Sequence, residues 1–302
     1  MKKVVCFGEI LWDVLPDGKK PGGAPMNVAY HLSRLGMESY MISRVGNDSL
    51  GDELKGFLQK MGLSTDYIQS DDLHETSKVI ATPGDNYEMI YTILQSVAWD
   101  FIAYDRQTEA LIEKADLMVF GSLVARRDAS RDTLYRLIEC AKMKLFDVNF
   151  RAPYYEQSVI EHLLGKADIV KLNNDELQII AAWLGDKSGA EQEAVSRLQD
   201  RYQLEEIIVT KGGNGASYYT PTERHDYKAY PVTVRDTVGS GDSFLAAFVA
   251  RKLQGESIDD MLDYAAALGA YVTASTGANP DYKKSDLERF IWEKQLEQVR
   301  WK

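Results

Sequence analysis

Short apolar segments typical of buried β-strands alternate with segments of helical periodicity along most of the chain. Helix signals lie between them, such as a cap at Asn47 or Asp48 before a pattern over 50–61 that Gly62 ends. This alternation is typical of a mostly parallel sheet covered by helices, so the sequence predicts an α/β fold without linkers or internal repeats. The predicted strands span residues 3–11, 39–45, 116–122, 144–150, 168–173 and 206–212.

The composition argues against several partners and locations. The chain has 302 residues, of which 45% are hydrophobic and 27% charged, as suits a soluble protein. Its apolar segments fall short of the roughly 18 residues of a membrane span, and the first is too short for a signal peptide, so we expect a cytoplasmic protein. The net charge of −11 disfavours nucleic acid or an anionic membrane as a partner.

Several familiar kinds of site are missing from the sequence. Cys6 and Cys140 stand in no Cys-x-x-Cys or Cys/His arrangement, and the four histidines form no i,i+4 pair, so neither zinc nor a Ser-His-Asp site is predicted. The chain also lacks the Gly-x4-Gly-Lys-Ser/Thr motif of P-loop kinases. No Gly-x-Gly-x-x-Gly follows the first strand, which weakens the case for a dinucleotide dehydrogenase.

A turn of small residues carries Asp242 into an apolar, helix-like segment that ends near Leu253. Such a turn lets backbone N–H groups converge, and the helix that follows adds its own amides, so the segment indicates a phosphate site. A carboxylate repels phosphate unless it takes a proton from a nucleophile that attacks the phosphorus. On this segment alone, a helix N-cap in a tight turn explains Asp242 equally well.

A second glycine segment lies near the N-terminus. Gly22 and Gly23 precede a helical pattern that ends at Leu35, and Asn27 falls on the first turn of that helix. The amide of Asn27 offers donors and an acceptor that suit sugar hydroxyls, and Asp13 upstream can accept hydrogen bonds from them. Alone, this segment is a weak indication of a sugar site.

Together, the two segments resemble in spacing and order the two signatures of the ribokinase-like carbohydrate kinases, the PfkB family. The first signature runs from Gly22 to Gly46 and the second from Asp236 to Ala247. The resemblance extends over the chain, through residues 8–13, 173–176 and 210–215. It implies a single three-layer αβα domain of ribokinase-like fold, with a mostly parallel central sheet and a small β-sheet lid.

The resemblance implies an enzyme that transfers the γ-phosphoryl group of ATP to a sugar hydroxyl. Asp242 would accept the proton of that hydroxyl as it attacks. The amides that would stabilise the transferring phosphoryl group belong to Gly239, Ser240, Gly241 and Asp242. The residues that would orient the sugar are Asp13, Gly22, Gly23 and Asn27.

Three further groups of residues resemble cofactor sites of the family. Asn173 and Glu176 would order water on Mg²⁺, although a helix cap with its first-turn acid explains them as well. The nucleotide-side loop would comprise Thr210, Lys211, Gly212 and Gly215, although this turn is equally typical of a hairpin connection into residues 216–220. A monovalent-cation loop in some members corresponds to Asp236, Val238, Gly277 and Asp281, which makes K⁺ a candidate cofactor.

Residues 77–94 read as two period-2 strands around a turn at Pro83, Gly84, Asp85 and Asn86, which is a strong hairpin signal. One face would carry Tyr87, Met89, Tyr91 and Ile93. The pattern alone permits a decoration at the sheet edge or an oligomer contact. The resemblance implies that residues 11–21 and 75–97 form a lid over the sugar, through which the protein would form a homodimer.

Three short segments of the sequence favour fructose as the substrate. Residues 8–13, 15–18 and 147–151 resemble bacterial fructokinases, with Val148 as a departure from the usual proline. Asn149 and Arg151 would therefore lie in the substrate site, where Arg151 would face a phosphate or a substrate carboxylate. An exposed arginine paired with a surface acid is the alternative.

Other substrates and functions stay open. A kinase for 2-keto-3-deoxygluconate or ribose on the same scaffold is the first alternative. A sensor that binds sugar and nucleotide without turnover is the second, although its expected sign, loss of Asp242, is absent. An adenosine kinase is disfavoured because no aromatic sandwich for a base is recognisable.

Overall fold

The computed structural model describes residues 1–15, 18–83, 89–186 and 188–300. The predicted turn at Gly84, Asp85 and Asn86 lies outside these residues, as does Tyr87. The side chains of Met89 and Tyr91 are also outside the description, so the predicted common face of this hairpin stays a prediction.

The described residues form thirteen strands and ten helices. The strands are β1 (Lys3–Phe7), β2 (Leu11–Leu15), β3 (Gly18–Gly22), β4 (Glu38–Gly46), β5 (Ile68–Asp71), β6 (Lys78–Pro83), β7 (Met89–Ile93), β8 (Leu117–Gly121), β9 (Lys144–Asp147), β10 (Ile169–Asn173), β11 (Glu206–Thr210), β12 (Ala216–Tyr219) and β13 (Arg224–Tyr227). The helices are α1 (Ala24–Arg34), α2 (Ser49–Lys60), α3 (Arg106–Lys114), α4 (Asp128–Ile138), α5 (Gln157–Leu164), α6 (Asn174–Trp183), α7 (Glu191–Tyr202), α8 (Ser240–Gln254), α9 (Ile258–Thr273) and α10 (Lys284–Arg300).

A nine-stranded sheet forms the centre of the fold, in the order β13-β12-β11-β10-β9-β8-β1-β4-β5. The seven strands from β11 to β5 are parallel, and β12 and β13 add an antiparallel edge. Alternate residues of β1 serve the two faces, since Val4 and Cys6 pack with α1, α2, α8 and α9, whereas Val5 and Phe7 pack with α3 to α7. The predicted three-layer α/β fold is confirmed.

Two predicted strands extend too far, because a glycine or an asparagine turns the chain after the carboxyl end of each strand. The strand predicted over 3–11 ends at Phe7, and Gly8, with φ of 154°, directs the chain out of the central sheet before β2 begins. The strand predicted over 144–150 ends at Asp147, since Asn149 has φ of 40°. The apolar pattern continues across both breaks because the residues beyond them are also buried.

A second, four-stranded sheet has the order β3-β2-β6-β7. β2 pairs antiparallel with β3 and parallel with β6, and β6 pairs antiparallel with β7. Leu11, Val79 and Ile93 of this sheet are buried against the core on the α3–α7 side of the central sheet. The small sheet therefore lies beside the carboxyl end of β1, from which its first strand comes.

A buried ion pair fixes the chain that follows the small sheet. Arg126 donates from Nε to Asp100 Oδ1 at 2.7 Å and from Nη2 to Asp100 Oδ2 at 2.8 Å. The same Nη2 donates to the carbonyl oxygen of Leu94, and the guanidinium lies 4.0 Å from the ring centroid of Trp99. The segment after β7 is thus held to the segment after β8.

None of the helices in the described part of the chain is both long and apolar enough to cross a membrane.

Asp100→Ala tests this buried pair, because it leaves the Arg126 guanidinium buried without its carboxylate. We expect the free energy of unfolding, from urea titration at pH 7, to fall by about 3–5 kcal/mol. Asp128→Ala is the control, since it removes the exposed partner of Arg131 and should cost about 1 kcal/mol or less. Equal losses in the two variants would contradict the assignment of Asp100 as a structural anchor.

Candidate active site

A cleft of about 680 Å³ opens at the carboxyl ends of the parallel strands, where α/β proteins commonly bind ligands. Glu9 lies there after β1, Asn149 after β9 and Asn173 at the end of β10. The small sheet provides one wall through residues such as Leu11 and Val79. The N-terminus of α8 provides another.

The turn before α8 requires glycine. Gly239 caps the helix with φ of 77°, and a Cβ atom there would lie 2.7 Å from the Cα of Ala278. The first N–H groups of a helix have no intrahelical partner, so the amides of Gly241 and Asp242 are available to an anion at the positive end of the dipole. Because both residues line the cleft, the predicted anion site opens into it.

The carboxylate of Asp242 lies in the cleft on the first turn of α8. Removal from water raises its pKa to about 6, and the nearby charge of Asp147 adds to the rise. A hydrogen bond of 2.7 Å from Asn27 Nδ2, together with Lys171 and Arg151, acts in the opposite direction. Asp242 is therefore ionised at neutral pH and yet basic enough to accept a proton.

Lys171 forms a buried ion pair under this turn, which the sequence analysis missed. Its Nζ donates to Asp147 Oδ1 at 2.8 Å and lies 3.5 Å from where a Cβ atom on Gly241 would stand. Burial acts to lower the pKa of Lys171, but the carboxylates of Asp147, Glu176 and Asp242 outweigh it and the pKa is raised. The available signal was a lysine inside an otherwise apolar strand.

The predicted sugar residues Asp13, Gly22 and Gly23 lie together. Asp13 lines the cleft, and burial raises its pKa to about 6. A Cβ atom on Gly22 would collide with the Asp13 carboxylate. Gly23 has φ of 115°, and a Cβ atom there would collide with the backbone carbonyl of Glu9. The absence of a Cβ atom lets the chain at Gly22 approach the Asp13 carboxylate and the chain at Gly23 approach the backbone of Glu9.

Glu9 is a second acid that the sequence analysis did not assign. Its Oε1 accepts a hydrogen bond of 3.3 Å from the backbone N–H of Ala24, and its Oε2 is buried without a partner among the described residues. Burial raises the pKa of Glu9 to about 7, against the attraction of Arg151. The side chain lines the cleft as a carboxyl group that changes charge near neutral pH.

Asn149 and Arg151 also line the cleft, as predicted for substrate residues. Arg151 Nη1 donates to the carbonyl oxygen of Phe150 at 3.0 Å. Among the described residues, no carboxylate pairs with this guanidinium, so the alternative of a surface ion pair finds no support. The cleft thus contains a cation that is free to meet an anionic ligand.

Asn173 and Glu176 form the predicted helix cap. Asn173 Oδ1 accepts from the N–H of Glu176 at 2.9 Å, and Glu176 Oε2 accepts from the N–H of Asn173 at 2.8 Å, which caps α6. Glu176 Oε1 accepts from the N–H of Phe150 at 2.8 Å. Both residues nevertheless line the cleft. Because each oxygen of Glu176 already binds backbone, its fit to a metal ion is through water.

Of the predicted nucleotide loop, only Thr210 lines the cleft. Lys211 Nζ instead pairs with Glu191 at 2.8 Å and contacts Ser217. A Cβ atom on Gly215 would collide with the carbonyl of Tyr227, so this glycine serves the hairpin into β12. Neither Gly212 nor Gly215 lines this cleft, and the turn connects β11 to β12 as a hairpin, so its role in nucleotide binding stays a prediction.

Asp236, Val238 and Gly277, three of the four residues predicted for a cation loop, lie together at the cleft. Asp236 Oδ1 accepts from the N–H of Val238 at 3.0 Å, and Oδ2 accepts from the N–H of Gly277 at 3.0 Å. The Asp236 side chain thus ties the turn before α8 to the loop after α9.

Two other predicted side chains point elsewhere. Asp281 pairs with Arg34 of α1 and does not line the cleft. The hydroxyl of Ser240 accepts from Thr273 Oγ1 at 3.1 Å and lies 3.3 Å from the carbonyl oxygen of Gly269, and its N–H donates to the carbonyl oxygen of Thr237 at 3.3 Å, so Ser240 does not line the cleft. Within the described residues, no cluster of three or more His, Cys, Asp or Glu side chains is arranged to hold a metal ion.

The fold is that of the ribokinase-like sugar kinases, as comparison with known proteins shows. The model of the pfkB family carbohydrate kinases matches residues 1–285. The chain therefore belongs to that family and is an ATP-dependent carbohydrate kinase.

Its relatives include fructokinases. The fructokinase of Klebsiella pneumoniae is 29% identical, over 96% of this chain and 99% of that protein. The probable fructokinase-5 of Arabidopsis thaliana is also 29% identical, over 92% of this chain and 93% of its own length. The fructokinase of Vibrio cholerae O395, solved with fructose, ADP and calcium ion, superposes with a TM-score of 0.83 at 26% identity, over 96% and 99% of the two chains.

Glu9→Gln tests the burial of the Glu9 carboxyl, because glutamine keeps the acceptor for Ala24 and cannot ionise. The folded-state pKa of about 7 lies above the ordinary 4.5, so folding is favoured at low pH and loses this contribution as pH rises through 7. We expect the variant to have a higher Tm than the parent at pH 8 and an equal Tm at pH 4, by circular dichroism. Glu113→Gln, an exposed change on α3, should leave Tm unaltered, and a gain from Glu9→Gln that is the same at both pH values would refute the argument.

Proposed function

We propose that the protein transfers the γ-phosphoryl group of ATP to a hydroxyl group of fructose, with Asp242 as the general base. The observation that carries this proposal is that the Asp242 carboxylate and the N-terminal amides of α8 line the same cleft, together with acids suited to sugar hydroxyls. A base beside an anion site is what proton removal during attack on phosphorus requires.

In the proposed reaction, Asp13 accepts hydrogen bonds from the sugar, and the glycine backbone at 22–23 lets the sugar approach. Asp242 takes the proton as the hydroxyl oxygen bonds to the γ-phosphorus and the bond to the β-phosphate oxygen breaks. The amides of Gly239, Gly241 and Asp242 and the ammonium of Lys171 stabilise the charge on the transferring group. The geometry of the turn favours an anion there.

The residues present also fit the metal that ATP carries. Mg²⁺ is commonly held by one or two carboxylates together with phosphates, and it neutralises phosphate charge during transfer. Glu176 and Asn173 would order its water, and Asp147 Oδ2 is buried without a partner in the described structure. Asp236, Val238 and Gly277 would form the monovalent-cation loop, for which K⁺ is the proposed ion.

Fructose is the proposed sugar because several curated relatives are fructokinases and because the Vibrio cholerae structure contains fructose. An acidic sugar such as 2-keto-3-deoxygluconate is the second candidate. The free guanidinium of Arg151 in the cleft favours it, since a substrate carboxylate would pair with that cation.

We also propose that the small sheet is the lid of the sugar site and the contact of a homodimer. Its inner residues Leu11, Val79 and Ile93 line the cleft, and Ile80, on the adjacent position of β6, is 37% exposed. An exposed apolar side chain on the outer face suits a contact with a second copy. Both cysteines are free thiols, which accords with a cytoplasmic location.

Asp242→Asn tests the base. We expect turnover in a coupled ADP-release assay with ATP, Mg²⁺ and fructose to fall about 10²- to 10⁴-fold, while calorimetry shows ATP binding retained, because the lost interaction belongs to the transition state. Asp259→Asn, the same change on the exposed first turn of α9, should retain full activity. An active Asp242→Asn enzyme would refute the base assignment, and a parent that binds ATP but phosphorylates no sugar would support a sensor.

Arg151→Gln separates the two candidate substrates. With fructose, we expect KM to change less than about threefold, because no carboxylate is present to pair with the guanidinium. With 2-keto-3-deoxygluconate, loss of a charge-assisted hydrogen bond should raise KM about 10-fold or more. The measurement compares kcat and KM for fructose, 2-keto-3-deoxygluconate and ribose. If the parent enzyme prefers 2-keto-3-deoxygluconate or ribose, that sugar would replace fructose as the proposed substrate.

A further inference from the structure

One face of α1 binds the segment that follows α9. Asn27, Tyr30, His31 and Arg34 lie at i, i+3, i+4 and i+7, so they share one side of the helix. Tyr30 Oη donates to the carbonyl oxygen of Pro280 at 2.7 Å. The four residues hold residues 278–282 against the cleft wall.

His31 is part of this attachment as a neutral ring. Its Nε2 lies 2.9 Å from the carbonyl oxygen of Ala278, and its Nδ1 lies 3.0 Å from Tyr282 Oη. Burial lowers the pKa of His31 to about 4, so the ring stays uncharged at neutral pH. In that state Nε2–H donates to the carbonyl and Nδ1 accepts from the tyrosine.

Asn279 lies in the middle of the attached segment and completes a chain of hydrogen bonds. Its Nδ2 donates to Asn27 Oδ1 at 2.8 Å, and Asn27 Nδ2 donates to Asp242 Oδ2 at 2.7 Å. Asn27 is almost fully buried, so its amide has little freedom to find other partners. Both the oxygen and the NH₂ group of the Asn27 amide are thus engaged in hydrogen bonds.

The charge on Asp242 dictates the direction of both amides. An ionised carboxylate only accepts hydrogen bonds, so Asn27 must present its NH₂ group to Asp242. Its oxygen then faces Asn279, which must present an NH₂ group in turn. If Asn27 turned over, its oxygen would face the carboxylate, and the ionised base would lose a donor and gain a repulsive contact.

We propose that Asn279 is a positioning residue that holds the amide of Asn27 in the orientation that donates to Asp242, and so keeps the base ionised and aimed. This inference rests on the proposed function of Asp242. It changes the expected role of Asn27, whose amide faces the base and not only the sugar.

Other charged groups also affect the pKa of Asp242, and their contacts with it have to stay the same in the variants used for the test. Asp147 raises its pKa, whereas Lys171 and Arg151 lower it. Glu9 lies close enough for its own pKa to be raised by Asp242. None of these groups forms a hydrogen bond with Asn279 in the described structure, so changes at 279 leave their contacts with Asp242 in place.

Asn279→Asp is the decisive variant. The introduced carboxylate accepts only, so it draws the NH₂ group of Asn27 toward itself and turns the Asn27 oxygen toward Asp242. We expect kcat to fall about 10-fold or more and the acid limb of the kcat/KM pH profile to move upward by about one pH unit, with KM for ATP unchanged. Asn279→Leu removes the donor to Asn27 Oδ1 without adding a charge, so it should lower Tm and kcat and move the acid limb upward, but by less than Asn279→Asp.

Tyr30→Phe is the matched control, because it removes another bond to the same segment without touching the amide chain. It should leave the pH profile in place. An acid limb that is the same in Asn279→Asp and the parent, with kcat within twofold, would overturn the proposal. If Asn279→Asp does not fold, Asn279→Ser, which loses the reach of the amide, must lower kcat by itself for the proposal to stand. Full activity in Asp242→Asn would instead refute the proposed role of Asp242 as the base. Failure of the proposed function can therefore be distinguished from failure of the inference about Asn279.

Discussion

The repulsion among buried carboxylates at one end of the central sheet is the constraint around which this cleft is arranged. Glu9, Asp147 and Glu176 are buried there, the half-buried Asp242 lies beside them, and Lys171 is the buried cation among them. Charges removed from water cost free energy unless they are paired or hydrogen-bonded. The backbone N–H groups that bind Glu176 and the amide that binds Asp242 meet this need.

The same constraint explains why glycine and backbone, rather than further cations, form the anion site. A second buried lysine would pair with the acids and would then be unavailable to a phosphate. Helix N–H groups, in contrast, cannot be neutralised by proton transfer. Gly239 lets the α8 turn reach Ala278 closely, and Gly23 does the same at Glu9. Close backbone packing thus takes the place of side-chain charge.

Local patterns predicted the features that depend on local physics. The alternation of strands and helices predicted the central sheet, and the small residues at 239–241 predicted the tight turn that opens α8. The strand predicted over 3–11 was too long because the change of sheet at Gly8 is a tertiary event inside one apolar pattern. The contacts of Asn279 and Lys211 could not be predicted for a similar reason. Their partners, Asn27 on α1 and Glu191 on α7, lie on other elements, and no spacing rule in the sequence connects them.

The attachment of residues 278–282 to α1 makes the two ends of the chain depend on each other. Asn27 and Asn279 are 252 positions apart, and the bond from Asn27 to Asp242 spans 215 positions. During synthesis, the first helix is made long before either partner exists, so the site cannot close until nearly all of the chain has emerged. During synthesis, completion of the cleft is therefore a late step, and truncation before residue 278 would remove the donor that faces the Asn27 oxygen.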